Sequence, residues 1–197
     1  MPVYRRETLA GRLPWVEVHD FETIAAGGEE GSPCLTLTRS AESEVVIVLE
    51  GELAADSSRG RVTLRRNDWL SVPSEGPLHV RGRAAVMRIA GRWTGLTALT
   101  IFEVGPDRDL ELHYHDGDEY WLFFEGRGRA LSEGGAYDIG PGDLIATGMG
   151  HEHGFPAAST HGIVRAVALE TALHGVGRRG HLHRADHGDP VPMRALA

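Results

Sequence analysis

One cysteine, Cys34, stands in a chain of 197 residues. A lone thiol rules out an intrachain disulfide and fits a reducing compartment, so the expected location is the cytoplasm. No apolar run approaches the roughly 20 residues that a membrane-crossing helix needs, which argues against a membrane partner. The opening, MPVYRRETLAGRLPWVEV, has basic residues without an apolar stretch behind them and does not read as a secretory leader. A sustained basic face is also missing. Lys and Arg number 20 against 28 Asp and Glu, a formal charge of −8, and the short Arg-rich stretch GRRGHLHR is followed by Asp186 and Asp189. Nucleic acid is therefore not expected as a partner, because binding it requires phosphate neutralisation. No long amphipathic helix is legible either. The 26 glycines and 10 prolines are scattered, which signals many turns between short strands and not a low-complexity segment.

What remains is β-forming sequence. EVVIVLE, RVTLRR, WLSVP, AVMRIAG, ALTIFEV, YWLFFEG and GIVRAVALE are short, rich in β-branched and aromatic residues, and bounded by Gly, Pro, Asp or Asn. The segment SEGGAYDIGPGDL reads as turn chemistry between two strands. The chain also repeats itself. ESEVVIVLEGEL (Glu42–Leu53) aligns with GDEYWLFFEGRG (Gly117–Gly128) at an offset of 75 residues, which places Glu44 on Glu119, Glu50 on Glu125 and Gly51 on Gly126. The same offset, without a gap, lays LRRNDWLSVP (Leu64–Pro73) on IGPGDLIATG (Ile139–Gly148) and Asp68 on Asp143. This pattern implies duplication of one supersecondary unit and two small barrels in tandem.

The stretch HYHDGDEYWLFFEG, from His113 to Gly126, carries the chemistry. Residues two apart on a strand share a face, so His113 and His115 project together with Glu111. Asp116-Gly117-Asp118 carries the signal of a tight reversal that returns Glu119 toward the imidazoles. Farther on, GDLIATGMGHEHGF adds His151 and His153. Three imidazoles and a carboxylate are costly to bury unpaired. One divalent metal satisfies all of them, and a nitrogen–oxygen donor set without thiolate suits iron, manganese, nickel, copper or zinc. GMGHEHG is not a zinc-protease HExxH, because Phe155 occupies the second histidine's place.

These residues resemble the two cupin motifs. HYHDGDEYWLFFEG is similar to HxHxxxE followed six residues later by Gly. YDIGPGDLIATGMGHEHGF is similar to a Pro-Gly-Asp turn with a histidine ten residues past the Asp. The resemblance implies metal ligands at His113, His115, Glu119 and His153. It spans residues 97–170, whereas residues 35–95 share the framework alone. Two departures touch loops and no ligand: Asp107 stands where cupins usually have Gly, and Gly148 where they usually have Pro. In the first copy the ligand places fall on Thr38, Ser40, Glu44 and Leu78. One carboxylate survives there and no imidazole, and His79 faces the other way.

The expected architecture is thus all-β, with two tandem cupin (jelly-roll, double-stranded β-helix) barrels. Residues 1–95 form an N-terminal barrel without metal ligands, 96–172 a metal-binding barrel, and 173–197 an extension carrying His174, His181, His183 and His187. Such a chain is expected as a monomer with pseudo-dimeric barrels or as a homodimer. Around the metal, candidates for contact with a small-molecule ligand are Glu111, Trp121, Phe123, His151 and Phe155. For four of them an ordinary role stands beside that one: Trp121 and Phe123 as core, Glu111 at a wet rim, His151 as a loop histidine. The donor set fits a metal-dependent enzyme of dioxygenase or isomerase type, and the resemblance implies small-molecule metabolism, of carbohydrates or organic acids. The alternative is a non-catalytic sensor or storage module. No residue is assignable as a general base.

Overall fold

The seven apolar stretches named above all become strands. In the computed structural model, which describes residues 2–27, 35–57, 60–172 and 181–182, sixteen strands follow in chain order. They are β1 (Val3–Arg5), β2 (Val18–Ala26), β3 (Leu35–Leu37), β4 (Ser43–Ser57), β5 (Gly60–Arg65), β6 (Trp69–Ser71), β7 (Leu78–Gly91), β8 (Leu96–Val104), β9 (Leu110–His115), β10 (Glu119–Glu125), β11 (Gly128–Ser132), β12 (Gly135–Ile139), β13 (Asp143–Thr147), β14 (His153–Phe155), β15 (Val164–Thr171) and β16 (His181–Leu182). Helix among the described residues is limited to 3-10 turns at Arg6–Gly11 and Ala157–Ser159. Cys34, His174, His183 and His187 lie outside the described residues.

Two compact units divide the chain. The first, Leu13–Trp93, is an antiparallel sheet in the order β2-β7-β4-β5, with β3 added to β7 and β6 to β4. Alternating residues of its strands, among them Val46, Val48, Leu53, Val80 and Val86, supply its buried core. The second unit combines Met1–Arg12 with Thr94–Ala197. It has two five-stranded antiparallel sheets, β1-β13-β10-β15-β8 and β12-β11-β14-β9-β16. Trp121, Phe123, Ile145, Phe155, Val164 and Ala166 form its core. The fold is the all-β jelly-roll type that the strand pattern implies.

Three local expectations change. The first twelve residues were assigned with residues 13–95, yet β1 is an edge strand of the second unit, pairing Val3 with Ile145 and Arg5 with Asp143. A three-residue strand has too little apolar content to announce its partner. Asp116-Gly117 does not close a hairpin. β9 pairs with β14 and β16, while β10 pairs with β13 and β15, so the acidic turn is a corner between two sheets. Inside SEGGAYDIGPGDL, residues Gly135–Ile139 form β12 on β11, because Ala136, Tyr137 and Asp138 have partners on β11 and the turn residues are confined to the ends.

The 75-residue repeat extends to single hydrogen bonds. Gly51 and Gly126 both adopt positive φ, +84° and +77°, and a Cβ at either would collide with a backbone carbonyl, of Arg83 and Ile163 respectively. The Asp68 carboxylate accepts the Arg65 N–H at 2.9 Å, and the Asp143 carboxylate accepts the Gly140 N–H at 2.8 Å. Asn67 N–H donates to Val48 O and Gly142 N–H to Phe123 O, both at 2.9 Å. Burial separates the two aspartates. Asp68 is exposed, whereas Asp143 is buried and also faces Arg5 Nε at 3.2 Å. Asp68→Ala should therefore cost about 1 kcal/mol and Asp143→Ala about 2 kcal/mol, since a buried donor left without its acceptor carries the larger desolvation cost. Urea unfolding of both variants checks the order; equal losses would show that burial does not govern these turns.

Candidate metal centre

β9 delivers His113 and His115 to the interior of the second unit, β10 begins with Glu119, and β14 begins with His153. His113 and His153 are direct cross-strand partners. All four residues are buried, at most 3% exposed. One nitrogen or oxygen from each lies within 4.8 Å of all the others, and among the described residues no second such group forms.

The hydrogen-bond chemistry of the group is specific. His113 Nδ1 is 2.6 Å from the Glu111 carbonyl, and His153 Nδ1 is 2.8 Å from the His151 carbonyl. A carbonyl only accepts, so both Nδ1 atoms carry the proton and each Nε2 is left as a lone pair in the neutral ring. His153 Nε2 nevertheless sits 2.7 Å from Glu119 Oε2, itself an acceptor. His115 Nε2 lies 2.9 Å from the same oxygen without hydrogen-bond alignment. Lone pairs brought this close require a positive charge among them, either a proton or a cation. Burial, together with the neighbouring His153, pushes His113 down to about 3, so its ring is neutral and able to donate its lone pair. Burial alone would raise the Glu119 carboxyl, but His115 and His153 more than reverse this and hold it well below the usual carboxylate range. Two donors about 2.1 Å from one ion lie at most about 4.2 Å apart, so the observed spread is close to what a transition metal needs. The donor set and its orientation fit a divalent ion.

The other sequence candidates separate. Trp121, two residues past Glu119 on the same face, meets the His153 ring edge-on at 5.2 Å between centroids. Phe123 and Phe155 contact each other at 6.1 Å and belong to the apolar core. Glu111 is exposed, and the atom it contributes to the centre is its carbonyl oxygen. The His151 side chain is 57% exposed and lies 3.8 Å from Glu133, while its carbonyl orients His153. Backbone two residues before a ligand thus does what the side chains at those positions do not. Two residues that the sequence reading passed over also lie here. Thr147 and Glu170 are buried and stand directly opposite Glu119 on β13 and β15, which places all three on one face. The register of three strands was needed to find them; the only linear sign was a Glu closing the apolar run GIVRAVALE. Asp118 accepts the Met149 N–H at 3.1 Å, tying the corner to the loop before His151, and burial raises its carboxyl.

The corresponding place in the first unit is arranged differently. Leu78 is in the apolar core and His79 faces away, with Nδ1 3.2 Å from Thr36 Oγ1. Glu44 Oε2 accepts from Ser40 N and Oγ at 2.8 and 3.0 Å, and Glu44 Oε1 accepts from Arg88 Nε at 2.7 Å. The guanidinium supplies there the positive charge that the second unit's carboxylate would take from a metal.

Residues 100–170 match the family model described as Cupin domain. Over 200 residues the chain is 30% identical to the uncharacterized protein y4oW of Sinorhizobium fredii (strain NBRC 101917 / NGR234), a match covering 91% of this chain and 89% of that one. Among solved structures it is similar to AerE from Microcystis aeruginosa, with a TM-score of 0.56 and 10% identity over 78% of this chain and 86% of that chain. It is also similar to the conserved protein of unknown function PA5104 from Pseudomonas aeruginosa PAO1, with a TM-score of 0.54 and 14% identity over 78% of this chain and 81% of that chain.

Proposed function

The chain belongs to the cupin superfamily, in one family with the y4oW protein, and from that premise we propose that it is a metal-dependent enzyme acting on a small organic acid or carbohydrate-derived carbonyl compound, of dioxygenase or isomerase type. The observation that carries this reading is the buried group of two oriented imidazoles, a third imidazole and a carboxylate, in which His115 and His153 Nε2 lie 2.9 and 2.7 Å from one Glu119 oxygen. His113, His115, Glu119 and His153 hold a single divalent transition ion in the second unit, and the first unit holds none because Arg88 already neutralises Glu44.

When bound, the ion supplies Lewis-acid polarisation of a ligand oxygen or, as iron(II), a position for dioxygen beside a chelating substrate. The protein's own contribution is positional. The Glu111 and His151 carbonyls fix two imidazole tautomers, and the wall formed by Trp121 excludes water on the core side. Glu170 and Thr147 place a carboxylate and a hydroxyl on the interior face beside Glu119, where a proton acceptor or donor is of use to either reaction.

Elemental analysis of protein purified without an affinity tag should give one transition-metal ion per chain, and two ions would contradict the assignment to one unit. Dioxygen uptake with a panel of hydroxy and keto acids then separates oxygenase from isomerase. Saturable, metal-dependent binding with no turnover of any kind would replace the enzyme by a sensor.

A further inference from the structure

Among the described residues the indole N–H of Trp121 is a buried donor with no hydrogen-bond partner, on a residue only 1% exposed. Such orphans cost about 1–3 kcal/mol and are rare unless water or a ligand completes them. Its ring neighbours offer no acceptor. Phe102 at 5.1 Å and Phe123 at 6.5 Å have no lone pairs. His153 at 5.2 Å has both nitrogens engaged, Nδ1 with the His151 carbonyl and Nε2 beside Glu119. Cross-strand partners on the same face are Ala168 and Ile145, which are apolar. None of these ring contacts and cross-strand partners is a free acceptor, and the ring adjoins a metal ligand.

We propose that Trp121 is a ligand-binding donor: its Nε1–H hydrogen-bonds an oxygen of a small carboxylate-containing ligand held at the metal. This deepens the functional reading above and rests on it. The ligand class follows from the donor. An N–H needs an acceptor with a lone pair, and a hydroxy acid that chelates the ion through its hydroxyl and one carboxylate oxygen keeps its second carboxylate oxygen to accept. Protonated amines and apolar ligands offer nothing to this group. The indole is then a positioning and selecting residue, fixing which way the chelate faces without itself exchanging a proton.

The test uses the full chain loaded with zinc and glycolate as the probe, with Trp121→Phe as the variant. Phenylalanine keeps an apolar ring and removes the donor. Zinc uptake, glycolate affinity by calorimetry and the indole N–H resonances of protein labelled with ¹⁵N-tryptophan are read separately. The four tryptophans give four resonances, and the one missing in Trp121→Phe is Trp121. The expected result is equal zinc uptake, glycolate binding weakened about tenfold in the variant, and a downfield shift of the Trp121 resonance on adding glycolate to wild type. Equal glycolate affinity in both proteins, a Trp121 resonance indifferent to glycolate, or zinc-loaded wild type that binds no glycolate would each overturn the proposal. Failure of wild type to take up zinc would instead overturn the metal reading, and this proposal with it.

Discussion

Replacing His115 by alanine should yield a folded protein that no longer holds its metal. The imidazole is buried and its Nε2 lies 2.9 Å from Glu119 Oε2, so its loss removes one of four convergent donors. Losing an outer partner of a ligand typically weakens metal binding 10–100-fold, and loss of a ligand itself should exceed about 100-fold. The fold does not depend on that donor. β9 is held by backbone pairing to β14 on one side and β16 on the other, and the apolar core of Trp121, Phe123, Ile145 and Phe155 is intact without it. Metal content and circular dichroism on the same sample check both halves. A His115→Ala protein with full metal would place the ion elsewhere and sink the functional reading.

Arg88→Met should have the opposite signature, a large loss of stability with the metal retained. The Glu44 side chain is fully buried, and Arg88, 20% exposed, is its charge partner at 2.7 Å as well as bridging Glu22 at 3.1 Å. Breaking a buried pair from one side strands the other charge, at a cost of about 3–5 kcal/mol; the partial exposure of Arg88 favours the lower end. The pH dependence follows from Glu44. Burial alone would raise its carboxyl, but Arg88 and Ser40 outweigh that and lower it. A lowered folded value means that the pair stabilises the fold above the ordinary carboxyl range, about 4.3, and that this is lost as pH falls through the lower folded value. In the variant burial dominates and the carboxyl moves upward, so its protonation on acidification relieves the penalty. The gap between wild type and variant should thus be widest near neutral pH and narrow toward pH 4. Adding Glu44→Gln to Arg88→Met should recover much of the loss at neutral pH. Denaturant unfolding at two pH values decides it, and a gap that widened in acid would show that Glu44 is not the stranded group.

Much of this was open to a reader of the sequence, and the limits have physical causes. Strands such as EVVIVLE and YWLFFEG announce themselves because β-branched and aromatic residues fit a pleated, half-buried surface. His113 and His115 are legible as a pair because HxH spacing uses the period of two, which survives whatever the tertiary fold, whereas Glu119 and His153 were set beside them by the resemblance to the two cupin motifs. Arg88 was invisible as the partner of Glu44, 44 residues away, because a lone Arg in AVMRIAG reads as a solvated face; only the β4–β7 register, which sets it opposite Val46, reveals it. Glu170 was hidden for the same reason. The Asp-Gly turn misled because identical turn chemistry serves a hairpin and a corner, and the choice belongs to strands farther along. Trp121 was legible as core or as a ligand contact, while its unanswered N–H depends on neighbours such as Phe102 and His153 that other strands contribute.

The pairing of β1 with β13 sets an order of events during synthesis. Val3–Arg5 leave the ribosome long before their partners, Asp143–Ile145. At about 5–20 residues per second, the delay is on the order of 7–30 s. For the last part of that interval, on the order of 3–10 s, Leu13–Trp93 is complete and its own long-range sheet can close, since every strand it pairs lies within it. Val3–Arg5 thus wait while a later stretch finishes folding, and they dock only when the Pro141-Gly142-Asp143 turn appears. A short strand kept waiting needs little apolar surface of its own, because an exposed sticky segment held for seconds invites aggregation. The sequence VYR, with one apolar residue, one amphipathic ring and one charge that later meets Asp143, suits a segment that must remain soluble first and structured last.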